Sequence, residues 1–413
     1  VATIARIGGD PPWSDDRPID SVTWRVLPPA YSALRFRAIA SGAVAAAIRG
    51  KAGRMRLTKL LQGRAAAAVV RLTDSGTAAL TLALRLALQR RPGRPIALPA
   101  FSCYDLVSAG LGAGAPVVFY DLDTRTLGPD MRSLAALAAV EPAAVVLVHA
   151  FGMPVDVTAA RAVLGTDTML IEDCAQAWGA TLGGVPVGRA GDAAVFSFGR
   201  GKGITGGSGG ALTLRDDRFA AGLPTMPPSG RGVRDSVACT ALWLLSQPEI
   251  YAVPARMAVL RLGETRYHPP REVGALTVAA AATLAASIDA VDQAARGRAS
   301  TANAYHAALD GAAGASTFDV LPGAVPGWLR FPVLAARAAD RDRMVAAGRH
   351  LGMAASYPKP LPRLWCELTG ATDTPPDAFP GADALASRLL TAPTHEFVRE
   401  SDLQRIVTLL TSS

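Results

Sequence analysis

Primary amines are scarce in this chain. Among 413 residues only Lys51, Lys59, Lys202 and Lys359 are lysines, against a large complement of arginine. Chemistry that needs a side-chain amine therefore has four places to occur. Cysteine is just as sparse: Cys103, Cys174, Cys239 and Cys366 lie far apart, with no CxxC and no histidine at metal spacing. That pattern speaks against a zinc site or a disulfide scaffold and for a reducing compartment. No apolar run reaches the ~20 residues of a transmembrane helix. The opening VATIARIGGDPPWSDDRP carries acids and lacks an apolar h-region, so no signal peptide is expected. The net charge of +8 comes from scattered arginines, which suits a phosphorylated small substrate as well as nucleic acid. The expectation is a soluble, cytoplasmic, mixed α/β chain whose apolar excess is mostly alanine.

What the chain does have is glycine in one place. Gly191–Leu214, GDAAVFSFGRGKGITGGSGGALTL, reads as a buried strand (Ala193–Phe198), a glycine-dense turn and a second strand (Gly210–Leu214). Lys202 stands in the turn among Gly199, Gly201, Gly203, Gly206 and Gly207. Glycines let a ligand approach the main chain, and partial desolvation favours the neutral, nucleophilic amine. Schiff-base chemistry needs that combination, although a solvated lysine at a hairpin tip is the simpler alternative. A phosphate-binding P-loop is excluded, because GRGKG lacks the earlier glycine and Gly203 stands where Ser or Thr belongs. The other lysines offer less: Lys51 and Lys59 lie in basic helical sequence, and Lys359 sits between prolines in YPKPLP.

In chain order, residues 1–30 read as an extended arm and Tyr31–Arg54 as one or two basic helices. A strand from Val69 runs into Asp74-Ser75-Gly76-Thr77, and a long apolar helix follows. Backbone amides at a helix start form an anion site, with Ser75 and Thr77 adding hydroxyls; an ordinary N-cap is the plainer alternative. Strands at Pro95–Leu98, Pro116–Tyr120, Ala144–Val148 and Thr168–Ile171 alternate with helices, which predicts a mostly parallel sheet covered on both faces. Ligands of such sheets lie beyond the carboxyl ends of the strands. Ser75, Cys103, His149, Asp173 and Gln176 all fall there. Asp173 suits a turn cap, a ribose ligand, or a counter-ion to a protonated pyridine nitrogen. A long helix is expected from Val273 to about Tyr305, then a smaller α/β module with a strand at Leu329–Leu334 and helices at Asp340–Leu351, Gly381–Leu390 and Glu400–Leu410.

These blocks together resemble the DegT/StrS family of sugar aminotransferases from about Leu72 to the C-terminus. The resemblance rests on SGTAAL, the Pro-x-Phe-Ser turn at Pro99, GAxPVxxxDLD, VHxFG, IEDCAQAWGA, FSFGRGKGITGGSGGAL and the closing FPGADALASRLL segment. It implies an α/β protein of pyridoxal-phosphate fold type I, with a large sheet domain and a smaller C-terminal α/β domain. The boundaries would be 1–55 for the arm and basic helical segment, 56–265 for the cofactor domain and 266–413 for the interdomain helix and small domain. It also implies pyridoxal 5'-phosphate as cofactor, held as a Schiff base on Lys202, with Asp173 on the pyridine nitrogen and Gln176 on the phenolic oxygen. Gly76 and Thr77 amides, Ser75 and the Ser197 hydroxyl would hold the phosphate. Family members mostly move an amino group from glutamate to a nucleotide-linked keto sugar, some act on cyclitols, and a homodimer is implied.

The sequence departs from the family at three points. Cys103 stands where an aromatic ring usually covers the cofactor, leaving Cys103 itself, Tyr104 or Phe101 for that face. The partner-subunit asparagine of the family is not evident near Tyr267-His268-Pro269-Pro270. The stretch from Leu214 to Tyr267 is longer than usual and includes the apolar, proline-broken Cys239–Gly263. Packing against a partner subunit is the favoured expectation for Trp243, Leu244 and Tyr251; contact with a membrane surface or the site mouth is the other. A sugar dehydratase on the same scaffold would be expected to lack Lys202, and a non-catalytic relative to have a broken Lys/Asp pair. Both residues are present.

Overall fold

The computed structural model describes residues 25–256, 265–371 and 378–412. Helices α1 (Phe36–Ile48) and α2 (Ala52–Ala65) lead into β1 (Val69–Thr73), α3 (Gly76–Arg90), β2 (Ile96–Pro99), α4 (Asp105–Ala113) and β3 (Val117–Tyr120). Next come α5 (Met131–Ala136), β4 (Ala144–Val148), α6 (Val157–Leu164), β5 (Met169–Asp173), the short strands β6 (Thr181–Leu182) and β7 (Val185–Pro186), β8 (Ala193–Ser197) and β9 (Gly210–Leu214). The apolar stretch folds as α7 (Val233–Leu245) and α8 (Pro248–Ala255), and α9 (Val278–Leu309) follows. The last third comprises β10 (Ala315–Ser316), β11 (Ala324–Val325), β12 (Phe331–Ala335), α10 (Ala338–Gly348), β13 (Ala354–Ala355), α11 (Leu361–Thr369), α12 (Pro380–Arg388), β14 (Leu389–Ala392) and α13 (Glu400–Thr411).

The main sheet has the order β1-β9-β8-β5-β4-β2-β3. Its strands from β8 to β3 pair in parallel, and β9 alone runs antiparallel to its neighbours β1 and β8. The strands read as continuous apolar runs because both faces are covered. Val145 and Leu147 meet Leu134 and Val157 on one side, while Val146 and Ile171 meet Leu82 and Leu86 on the other. A second, antiparallel sheet has the order β10-β12-β14-β13. Leu389 and Leu390, expected at the end of a helix, open β14 instead. The run Leu389–Ala392 is buried throughout and pairs with both β12 and β13, so sheet pairing outweighs helical continuation. Helix α9 begins at Val278 rather than Val273 because the Thr277 hydroxyl caps it, accepting from the Ala280 amide at 3.2 Å.

The alanine bias has a packing cause. Helices α1 and α2 lie against the start of α9, where Ala279, Ala280, Ala281 and Ala282 are buried. A Cβ on Gly42 would come within 2.1 Å of Thr283 Oγ1, and one on Gly53 within 2.6 Å of the Ala282 backbone. Small side chains on both partners allow this close helix approach. Trp243 of α7 packs on Phe36 of the same chain, with ring centroids 5.9 Å apart. Tyr251 of α8 lies in charge range of Arg330 and Arg349. Pro248 opens α8 rather than interrupting a helix, and residues 257–263 of the apolar stretch lie outside the described residues.

The described part of the N-terminal arm, Arg25–Arg35, is laid across the smaller sheet's end of the molecule. Leu27 donates its amide to the His350 carbonyl at 2.9 Å, and Tyr31 packs edge-on against His395 and Phe397. His395 is buried and contacts the Pro28 carbonyl at 2.8 Å. A carbonyl only accepts, so Nε2 carries the proton and the ring is neutral. Burial, with the Arg25, Arg330 and Arg298 charges, lowers its pKa to about 4 against the opposing Pro28 hydrogen bond. The unfolded chain therefore takes up a proton near pH 6.5 that the folded chain refuses until about 4. The stability from a neutral His395 should be complete above pH 6.5 and fall by about 3 kcal/mol as pH drops to 4. Denaturant unfolding from pH 7.5 to 4.5 checks this: the His395→Gln variant should lose about one proton's worth of slope, and an unchanged slope contradicts the assignment.

Candidate active site

The site lies where β5 and β8 end and α3 begins. Ser75 caps α3, its hydroxyl accepting from the Ala78 amide at 3.1 Å, so the capping role foreseen for this position is filled. Gly76 opens the helix flush against β8. A Cβ there would lie 2.6 Å from Ser197 Cβ and 2.8 Å from its Oγ, so only glycine lets the helix N-terminus meet the strand end. Amides of the first helical turn lack intrahelical partners and carry the positive end of the dipole. With the Ser197 hydroxyl beside Gly76 and Thr77, this corner is built for an anion.

Asp173 closes β5, and its neighbour Glu172 shows what a satisfied carboxylate looks like. Glu172 accepts from His149 at 3.0 Å and from the Gly188 amide at 2.7 Å on one oxygen. On the other oxygen it accepts from the Ala190 and Gly191 amides at 2.8 and 2.6 Å. Burial opposes its charge, but the His149 hydrogen bond and charge together with the amides hold it below the usual carboxylate range. His149 Nδ1 accepts from the Val155 amide at 3.0 Å, so Nε2 carries the proton toward Glu172. His149, Glu172 and Cys174 place potential metal ligands within 4.8 Å of one another. The lone pairs are already committed, though: both Glu172 oxygens accept two bonds each and His149 uses both nitrogens. The cluster is a structural brace behind the strand ends.

Asp173 faces the other way, since successive strand residues alternate faces. One backbone amide, that of Ala175, donates to it at 2.9 Å. Burial raises its pKa, and the Ala175 amide, Lys202 and His149 only partly offset that. Such an acid favours a cationic partner in front of it. Lys202 is near enough to act on both Asp173 and Cys103. Its turn is held from outside by Ser32, whose hydroxyl donates to the Lys202 carbonyl at 2.5 Å. The other lysines stand apart: Lys51 and Lys59 are exposed, and Lys359 pairs with Glu367 at 2.6 Å.

Cys103 shares the charge neighbourhood of Lys202 and Asp173; burial, with Asp105 adding to it, pushes its thiol up to about 12, so it is a neutral, compact wall. Tyr104 is directed elsewhere, packed with Leu361 and Leu364 in the core and bonded to the Lys359 backbone. Gln176 is fixed at both ends: its Oε1 accepts from the Phe151 amide at 2.8 Å and its Nε2 donates to Tyr357 Oη at 2.6 Å. Phe101 meets Tyr357 edge-on, with centroids 5.4 Å apart. Tyr357 was not among the residues expected at the site, because nothing in YPKPLP marks it before folding brings it to Gln176. Nor were Ser32 and the His149–Glu172 brace, which only the folded chain brings together.

The family model for the DegT/DnrJ/EryC1/StrS aminotransferase family matches residues 57–411. The chain belongs to this family. Members of the family are pyridoxal-phosphate-dependent. An L-glutamine:2-deoxy-scyllo-inosose aminotransferase of Streptomyces lividus is 39% identical over 158 residues, 38% of this chain and 37% of that protein. A GDP-perosamine synthase of Caulobacter vibrioides is 36% identical over 158 residues, 38% of this chain and 42% of that protein. The alignments thus span about two-fifths of those curated relatives. The solved sugar aminotransferase CalS13 from Micromonospora echinospora superposes with a TM-score of 0.70 at 23% identity, covering 94% of this chain and 100% of that one. That likeness supports the type I fold. The glycine-lined anion corner, the under-compensated Asp173 and the adjacent Lys202 fit a phosphorylated pyridine aldehyde.

Asp173 and Glu172 should therefore respond oppositely to the same substitution. Asp173→Asn should leave the melting temperature near wild type and lower turnover by two or more orders of magnitude. Glu172→Gln cannot accept four hydrogen bonds and should destabilise the protein by about 2–4 kcal/mol with a smaller loss of turnover per folded molecule. Thermal unfolding and turnover measured on both variants decide it; near wild-type activity in Asp173→Asn would remove that residue from the site.

Proposed function

We propose that this protein is a pyridoxal-phosphate aminotransferase that moves an amino group from an amino acid, glutamate in the simplest case, to an activated keto sugar or cyclitol. The observation that carries the reading is the meeting of Lys202 with the under-compensated Asp173 at the carboxyl ends of the parallel strands. The nucleotide-sugar and cyclitol aminotransferases among its relatives support the acceptor class. A homodimer is part of the proposal. Phe36, Val44 and Ile48 along α1, with Val233 and Val237 of α7, leave apolar side chains exposed, as expected of a face that a second copy covers. The compartment we propose is the cytoplasm; among the described residues no helix is long and apolar enough to cross a membrane.

In this reading each residue has a defined task. The Gly76 and Thr77 amides and the Ser197 hydroxyl bind the phosphate, and the α3 dipole favours its charge. Asp173 would keep a proton on the cofactor's heteroaromatic nitrogen. When bound, the cofactor supplies the electron sink for charge that develops beside the substrate nitrogen. Lys202 Nζ anchors the cofactor and then moves a proton between the carbons on either side of that nitrogen. Cys103 bounds this space beside the lysine, while Tyr104, packed into the core, leaves that face to it. Gln176, held by Phe151 and Tyr357, would offer its remaining amide hydrogen to the cofactor's phenolic oxygen. Retention of Lys202 favours amino transfer over the dehydratase alternative.

The purified protein should absorb in the visible, and its spectrum should change with one or more members of an amino-donor panel. Borohydride reduction and peptide mapping should place the pyridoxyl group on Lys202; label on Lys51, Lys59 or Lys359 would refute the assignment. Lys202→Arg keeps the charge yet cannot form the covalent link, so it should abolish transfer while the protein remains folded.

A further inference from the structure

Two arginines lie near the site, Arg298 buried and Arg330 half-buried, and their surroundings differ. Arg298 on α9 donates from Nε to the Gly327 carbonyl at 2.7 Å and from Nη2 to the Trp178 carbonyl at 3.2 Å. Arg330, just ahead of β12, has the same two nitrogens closed off from solvent, and neither finds an acceptor among the described residues. Nε–H and Nη2–H lie on one edge of the guanidinium and point the same way, the fork that pairs with two oxygens of one planar group. Leaving that fork dry and unmade is costly, which singles out Arg330 beside Arg298, whose same two nitrogens both meet carbonyls.

The chain holds this fork beside the active site. The Leu329 amide donates to the Phe151 carbonyl at 2.9 Å, and the Gly327 amide to the Gly152 carbonyl at 2.8 Å. The Phe151 amide in turn holds Gln176, three residues beyond Asp173. Phe151 and Trp328 sit at φ of 54° and 43°, left-handed backbone rarely adopted by such residues, and strain of this kind collects at ligand sites. Burial lowers the Arg330 pKa to about 10, with the Tyr357 and Tyr251 hydroxyls opposing that shift. Tyr357 is the residue bonded to Gln176, and Tyr251 belongs to α8 of the apolar stretch. Among the described residues no carboxylate pairs with Arg330.

We propose that Arg330 receives a carboxylate of the amino-acid donor through its Nε–Nη2 edge, and so selects amino acids as the source of nitrogen. This rests on the aminotransferase reading of the site. A carboxylate offers two coplanar oxygens and one charge, which matches a single guanidinium fork; a diphosphate carries more charge than one guanidinium balances. Tyr251 of α8 lies in charge range of the same guanidinium, which brings the apolar stretch to the neighbourhood of the proposed donor site.

The test uses holoenzyme and the variants Arg330→Met and Arg330→Lys, with glutarate as a non-reacting dicarboxylate probe and inorganic pyrophosphate as the alternative anion. Glutarate should raise the melting temperature of wild type and leave that of Arg330→Met unmoved. The half-saturating L-glutamate concentration, read from the cofactor spectrum, should rise on the order of 100-fold in Arg330→Met and less in Arg330→Lys. The maximal rate at saturating donor should change far less than the half-saturating concentration. Ligand-free Arg330→Met should melt at or above wild type, because an uncompensated buried charge has been removed. A clear drop in its melting temperature would make Arg330 structural and overturn the proposal. Equal glutarate responses in wild type and Arg330→Met, or a response lost for pyrophosphate and kept for glutarate, would overturn it too. If wild type itself responds to no donor, the aminotransferase reading fails, while the glutarate comparison still decides Arg330.

Discussion

Burying the Asp173 carboxylate costs free energy that the chain does not fully return, and much of the surrounding structure is arranged to keep it in place. The acid ends β5, bordered by β4 and β8, so the sheet fixes it on both sides. Behind it, Glu172 and His149 tie the loop at Gly188–Gly191 and the turn at Val155 to the same strand ends. In front, the glycine turn brings Lys202, and Ser32 from the N-terminal arm holds that turn at its carbonyl. A cation in front of Asp173 completes the electrostatics. Lys202 and the Ala175 amide supply this only in part, and in the proposed reading a protonated heteroaromatic ring supplies the rest.

The contrast between adjacent residues on one strand is instructive. Glu172 and Asp173 have nearly the same chemistry, yet the sheet's alternation sends them to opposite faces. One side offers four donors, the other one amide and a nearby amine. The arginines repeat the pattern: Arg298 is served by two carbonyls and Arg330 by none. In both pairs the satisfied member braces the scaffold, and in the proposed reading the unsatisfied member meets a ligand. Unmet hydrogen-bond demand inside a folded protein is expensive, and here it falls beside the two groups on which the proposed chemistry depends.

Much of the large sheet was legible before folding. Alternating apolar runs and turn residues marked the parallel strands, and the glycine setting separated Lys202 from three other lysines. What escaped had physical reasons. Leu389 and Leu390 continue a helical period, and only pairing with β12 and β13 makes them a strand. Trp243 shows no local sign that its partner is Phe36, two hundred residues earlier in the chain. Tyr357 and Arg330 carry no motif, because their roles come from which atoms are left without partners after packing. Tyr104 looked equivalent to Cys103 in sequence; the start of α4 turns one toward the core and leaves the other by the lysine.

The second sheet's end of the molecule does more than complete the fold. Tyr357 and Arg330 both come from it, yet Tyr357 reaches the large sheet's site by its bond with Gln176, and the Arg330 segment by backbone links at Phe151 and Gly152. The α3 corner and Asp173, by contrast, belong wholly to the large sheet. In the proposed reading the large sheet holds the cofactor and the smaller one presents the residues that meet the donor. Substrate choice can then vary through the smaller sheet and α8 while the Lys202–Asp173 pair stays fixed. This division follows from the topology: parallel strand ends supply a rigid anion-and-acid platform, and a separate antiparallel sheet supplies the wall that closes over it.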